Sequence, residues 1–345
     1  MNKKSKRKNN LKESIILLLL LLLLLISSTY AWFTANQTVT ISTLDVNIAA
    51  QNGLQISTDG ENWKAIITRD DITNKGYSGN TNLIPTSMVP VSTTGQISAA
   101  EDATKGNMLM YYGVVAADED DATGTYKLTA TPAADSEGKY IVFDMFLRVD
   151  STTQLKMTTG SSVVKKGEND SGIKQAARVA FCVQGTVAAG SAVADITGQN
   201  GAVSHGAEGA TVYIWEPNSN LHTDAAVAHA KSSYGITTTA DGKAEAVEYY
   251  GIKTTIAEAN ALPLINTNGT AVNTDYFTKM VPNYVTESTD AGVMTAEEPI
   301  FTLQKGISKV RTYMWIEGQD VDCEDAASGT DISFNLQLQV VGANS

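Results

Sequence analysis

Histidine, cysteine and basic residues are all scarce in this chain, and each scarcity removes a class of function. There are three histidines, His205, His222 and His229. None of them opens a His-Glu-x-x-His pair, the spacing that sets two zinc ligands on one helix face with a general base between them. His222 and His229 are spaced to share a helix face, but no third ligand is evident, so the expectation is two solvated histidines. A Gly-x-Ser-x-Gly elbow, a Walker loop, a dinucleotide fingerprint and a Cys-x-x-Cys pair are likewise absent from the sequence. Helical periodicity is confined to short Ala-rich pieces near 224 to 231 and 254 to 261.

Lys and Arg number 25 against 37 Asp and Glu, and the basic residues that exist are concentrated at the start. Residues 2 to 12 carry Lys3, Lys4, Lys6, Arg7, Lys8 and Lys12, followed by an apolar run from Ile15 to Ile26 in which nine of twelve residues are leucine. Twelve helical residues rise roughly 18 Å, too little for a hydrocarbon core of about 30 Å but ample for a signal-peptide core. Thr29 and Ala31 then supply the small residues a signal peptidase selects, so cleavage is expected between Ala31 and Trp32, making residues 1 to 31 a signal peptide. Retention as an anchor is the alternative. The leader carries six basic residues and Glu13, a net +5, so the −12 of the whole chain becomes −17 for residues 32 to 345. A surface this acidic repels phosphates and anionic lipid. Nucleic acid is excluded as a partner, and the membrane is met only in transit through the signal peptide.

Cys182 and Cys323 are the only cysteines, in a chain expected to leave the reducing cytoplasm. A disulfide between them is possible and would close a long loop, contributing about 5 kcal/mol in the ideal-chain limit. The competing reading of Cys182, in "RVAFCVQG", is a small buried hydrophobe.

What the sequence has in abundance is alternation. In "DISFNLQLQV" Ile332, Phe334, Leu336, Leu338 and Val340 share one face, and in "YIVFDMFLRV" Ile141, Phe143, Met145, Leu147 and Val149 do, with Tyr140, Asp144 and Arg148 opposite. Further strands are expected at 54 to 57, 63 to 68, 108 to 116, 125 to 131, 176 to 184, 211 to 216 and 307 to 317. The prediction is an all-β, antiparallel sandwich spanning residues 32 to 345. The Gly-, Ala- and Thr-rich stretch at about 186 to 300 is read as an insertion or long loops, with a small second domain as the rival. In "QTVTISTLDVNI" the parity switches from Val39 and Ile41 to Leu44, Val46 and Ile48, which calls for a bulge or a crossing between sheets. Ahead of it, Trp32 and Phe33 would begin the mature chain, two aromatics whose surface favours burial.

The segment "TYAWFTANQTVTISTLDVNI" resembles the leader junction of the TasA and camelysin family of exported Gram-positive proteins. In that family a Thr-x-Ala-x-Phe junction, here Thr29, Ala31 and Phe33, precedes a Thr-Leu-Asp-hydrophobic strand, here Thr43 to Val46. The resemblance implies a jelly-roll sandwich and a dedicated signal peptidase. For the matrix-forming members it also implies fibres in which one subunit's N-terminal strand completes the next subunit's sheet. In this chain the aromatic start and the broken phase single out Trp32, Phe33, Val39 and Ile41 as the expected donor strand. "RVAFCVQG", "IWEPNSNLHTD" and "TYMWIEGQDVDCED" are similar to segments of uncharacterised exported proteins of anaerobic Gram-positives, from which no activity follows. The expected function is therefore a secreted, non-catalytic subunit of a cell-surface or biofilm-matrix fibre, partnered by itself and open to other matrix or cell-wall components. A cell-surface binding module or adhesin for glycan or host protein is the alternative.

Neither a cofactor nor a metal is required by the sequence. The runs "ADEDDATG" (Asp118 to Asp121) and "EGQDVDCEDAASG" (Glu317, Asp320, Asp322, Glu324, Asp325) have the oxygen density of a calcium loop, but the second misplaces the third ligand and the turn glycine of an EF-hand. Solvated acidic turns are expected. Trp215 and Trp315 lie in strand-like stretches, and sheet packing competes there with a sugar-stacking platform.

Overall fold

The strand with the cleanest alternation, Asp331–Val340, stands at the centre of one of the two large sheets. A computed structural model describes residues 45–51, 53–97, 107–117, 126–166, 172–198, 211–228, 250–260, 274–285, 298–323 and 331–341. The leader, the Ala31/Trp32 junction and the donor residues Trp32, Phe33, Val39 and Ile41 lie outside the described residues. The first sheet runs β15 (Glu298–Leu303), β7 (Thr153–Met157), β17 (Asp331–Val340), β1 (Asp45–Gln51) and β3 (Ile66–Thr68), with β8 (Ser162–Lys166) on the first half of β17. The second runs β14 (Tyr284–Val285), β10 (Thr211–Glu216), β9 (Ala177–Val187), β16 (Gly306–Ile316), β6 (Ile141–Val149) and β2 (Gln55–Ser57). A pair, β11 (Tyr250–Ile252) with β13 (Phe277–Lys279), and a trio, β12 (Ile256–Asn260), β5 (Tyr126–Pro132) and β4 (Tyr111–Ala117), are added outside them.

The fold is an all-β sandwich. Alternate residues of both large sheets meet in one apolar cluster: Val46 and Ile48 of β1 and Ile332 to Val340 of β17 from one side, Ile141 to Leu147 of β6 and Val310 and Met314 of β16 from the other. Pairings within the large sheets are antiparallel apart from β1 with β17 and β10 with β14, which are parallel. Within 186 to 300, β10 and β15 are members of the two large sheets. Ile256–Asn260 is not helical as its Ala-rich sequence suggested. It pairs with β5, and that ladder outweighs local helix propensity.

The second sheet departs from the half-buried reading of residues 140 to 149. Tyr140 and Asp144 are buried as completely as Phe143 and Met145. The outer face of β6, β9 and β16 is covered by a third layer: Val91, Met108, Met110, Ala133 and Met280 pack on Tyr140, Val142, Ala180, Cys182, Tyr313 and Trp315. Tyr77 and Ile196 cover Phe146 and Ile307 nearby. Ile196 comes from the short helix α2 (Val193–Thr197). Trp215 and Trp315, each almost wholly buried, are core residues, so no sugar platform exists at either. Cys182 and Cys323 are buried thiols in different apolar clusters, and burial pushes the Cys182 thiol up to about 12.

The register of β17 predicts a mutational contrast. Phe334 and Leu336 are buried, and either change to alanine should cost about 2 to 5 kcal/mol through lost transfer energy and a residual cavity. Gln337 is half-buried and its side chain accepts one hydrogen bond, from the Thr158 hydroxyl at 3.0 Å, so Gln337→Ala should cost about 1 kcal/mol. Equal melting temperatures for Leu336→Ala and Gln337→Ala would contradict this register.

A second prediction concerns acid. Asp71 sits in helix α1 (Arg69–Asn74), buried, and accepts from the Thr68 N–H at 3.1 Å, from Lys64 and from Lys75 at 3.3 Å. Burial works against its ionisation, but the hydrogen bonds from Lys64, Thr68 and Lys75 outweigh it and hold the carboxyl at about 2. A carboxyl whose pKa falls on folding stabilises the fold above its unfolded value of about 4 and loses that contribution as pH drops towards 2. Both lysines are partly exposed, so the contribution is screened to about 1 kcal/mol. Urea titrations at pH 6 and pH 2.5 should show Asp71→Asn less stable than wild type at the first pH and nearly equal at the second.

Candidate functional site

One end of the second sheet gathers polar side chains from three neighbouring segments. Arg178 enters at the start of β9 and is fully buried. Its Nη1 donates to the carbonyls of Gln175 (2.7 Å) and Ala177 (2.9 Å), while Nη2 donates to Glu216 Oε1 (2.7 Å) and Asp320 Oδ2 (2.5 Å). Glu216 closes β10, and the turn after it is shaped by Asn218, which takes a left-handed φ of 56°. Asparagine tolerates that conformation, and here its amide donates to the carbonyls of Val163 and Lys174, both at 3.2 Å. The turn delivers His222 and Thr223.

The third segment is the loop after β16. Glu317 N–H donates to Ala176 O (2.8 Å), and Gly318 N–H to Val91 O (2.9 Å), so the loop folds back over the sheet end. Inside it the Asp322 N–H donates to Asp320 Oδ1 at 2.9 Å. Asp322 then joins the loop to the turn: its Oδ2 lies 2.6 Å from His222 Nδ1, and its Oδ1 accepts from the Thr223 N–H (2.9 Å) and hydroxyl (3.1 Å). Trp315 Nε1 donates to Glu317 Oε2 at 3.1 Å.

The electrostatics follow from burial. Four carboxylates, Glu216, Glu317, Asp320 and Asp322, and the imidazole of His222 surround one guanidinium, and all six residues are buried. Desolvation raises Glu317 to about 7 and Asp322 to about 6, and it raises Glu216 against the opposing pull of Arg178. For His222 burial opposes the charged form, yet the hydrogen bond to Asp322 and the surrounding carboxylates win and raise it. Both shifts have one cause, the close approach of the imidazole and the Asp322 carboxyl inside a buried site. His222, Asp320 and Asp322 each offer one ligating atom, and these atoms lie within 4.8 Å of one another.

This arrangement corrects two expectations. His222 is buried rather than solvated, because Asp322 and the sheet end enclose it, and Glu317, Asp320 and Asp322 belong to a buried cluster rather than a solvated turn, because Arg178 and His222 come to meet them. His205, His229, Asp118 to Asp121, Glu324 and Asp325 lie outside the described residues. Arg178 and Glu216 were missed. Their signal was a charge at each end of strands otherwise rich in apolar residues, where a lone charge must find a partner to be buried.

A second buried ion cluster lies on the outer face of the same sheet. Asp144 of β6 meets Arg311 Nε (2.8 Å), Lys309 Nζ (3.3 Å) and the Tyr77 hydroxyl (2.5 Å). Burial would raise Asp144, but Arg311 and Lys309 more than offset it and hold the carboxyl well below its usual range. An ionised carboxylate shared between two cations is saturated, which suits cross-bracing of β6 and β16.

No family model, no curated protein and no solved structure matches the chain.

Proposed function

We propose that the chain is a secreted structural protein, the subunit of a cell-surface or biofilm-matrix fibre that grows by exchange of N-terminal strands, with no catalytic role. The observation that carries this reading is the parallel pairing of β1 with β17, from Asp45 opposite Ser333 to Gln51 opposite Gln339. Val46 and Ile48 are thereby sealed into their own subunit's core. Whatever precedes Asp45 is rooted in a strand with a paired neighbour on each side, which gives a donor arm its anchor. The first sheet ends in β15 on one side and the three-residue β3 on the other. β15, six residues long, is the acceptor edge in this reading. Ladder bonds along such an edge supply generic affinity, and side chains alternating into pockets supply register.

The junction at Thr29 to Phe33 adds the export step: cleavage between Ala31 and Trp32 frees the arm on the outer side of the membrane. Electron microscopy of the protein beginning at Trp32 tests the reading. Filaments are expected. Persistent monomers that bind glycans would point instead to a surface adhesin.

A further inference from the structure

We propose that the end of the second sheet binds a first-row transition dication of the zinc type, with His222, Asp320 and Asp322 as its protein ligands. The three donor atoms are already within 4.8 Å of one another, and small side-chain rotations bring such a set to the spacing required by metal bonds of about 2.0 to 2.2 Å. One imidazole nitrogen and two carboxylate oxygens suit a borderline dication. Calcium takes six to eight ligands, all oxygen, at longer range. Neighbouring groups orient the ligands as metal sites require: Arg178 holds Asp320 through Oδ2, and the Thr223 N–H and hydroxyl hold Asp322 through Oδ1.

Two further observations point to a cation. The first is the excess of acidic groups, four buried carboxyls against one guanidinium and one imidazole, whose ionised forms a dication would favour. The second is Gln319, between Glu317 and Asp320 in the same loop. It is fully buried, and neither its Oε1 nor its Nε2 meets a hydrogen-bond partner among the described residues. Gln175, whose carbonyl sits 2.7 Å from Arg178, has a buried Oε1 in the same condition. A buried carboxamide without partners leaves hydrogen bonds that an ordered water on a bound ion would satisfy. The ion would clamp the turn at 216–223 to the loop at 317–323. The ligands are buried, which suits a structural role, and that role is independent of how the arm is used.

The test uses the folded protein beginning at Trp32, stripped with a chelator and titrated with Zn²⁺ against a chromophoric competitor. One Zn²⁺ per chain should bind, raise the melting temperature, and shift the imidazole NMR signals of His222 while leaving those of His205 and His229 in place. His222→Gln and Asp320→Asn should each weaken binding at least tenfold and remove the thermal gain. Absence of stoichiometric Zn²⁺ binding, or binding that moves His205 or His229 instead, overturns the proposal. So does stoichiometric Ca²⁺ binding without Zn²⁺ binding. Because the NMR readout is made on the wild-type chain, the test still decides if the variants fail to fold.

Discussion

Replacing Arg311 by methionine is expected to lower stability by about 3 to 5 kcal/mol, because it strips the main counter-charge from a carboxylate that water cannot reach. Asp144 is fully buried, and Arg311 grips it with two bonds, Nε to Oδ1 at 2.8 Å and Nη2 to Oδ2 at 3.0 Å. Lys309 and Tyr77 remain in the variant, but Lys309 is a poor substitute: burial, before any other effect, lowers its pKa, and its Nζ is already shared with the Tyr77 hydroxyl and Thr197 O. The double change Asp144→Leu with Arg311→Met removes both charges together and should be more stable than Arg311→Met alone. Urea unfolding of the three proteins measures this. A loss below about 1 kcal/mol for Arg311→Met would show that the cluster is hydrated rather than sealed.

The same cluster marks the limit of what the sequence discloses. Strands β6, β9, β10, β16 and β17 were legible because their apolar residues alternate or run continuously, and Val46 and Ile48 faced inward as their parity required. The third layer was not legible. In "GISKVRTYMWI" Lys309 and Arg311 are charged and yet buried, since Asp144 on the neighbouring strand neutralises them. Pairing between residues so far apart in the chain leaves no periodic trace. The site at His222 was hidden for the same reason. "DVDCED" showed its carboxylates, but Arg178 arrives from β9 and His222 from the turn after β10, and only the meeting of three chain segments at one sheet end turns a solvated acidic turn into a buried cluster.

Removing residues 32 to 41 is expected to abolish assembly while leaving the subunit folded. Every described ladder begins at or after Asp45, so a chain starting at Ser42 keeps the β1–β17 pairing, the buried Val46 and Ile48, and both sheets. What it loses is Trp32, Phe33, Val39 and Ile41, the aromatic and alternating residues that would fill pockets along a neighbour's edge strand. Head-to-tail exchange of such an arm does not close on itself and so propagates, each added subunit presenting a new arm and a new acceptor. A synthetic peptide of residues 32 to 41, added in excess, should occupy acceptors and cap growth.

The most direct measurement is a side-by-side comparison, by electron microscopy and thermal melting, of the chains beginning at Trp32 and at Ser42. The account predicts filaments from the first and, from the second, monomers with an unchanged melting temperature. Filaments formed as readily by the shortened chain would show that the arm is not the donor, and unfolding of the shortened chain would show it to be an ordinary part of its own subunit's core.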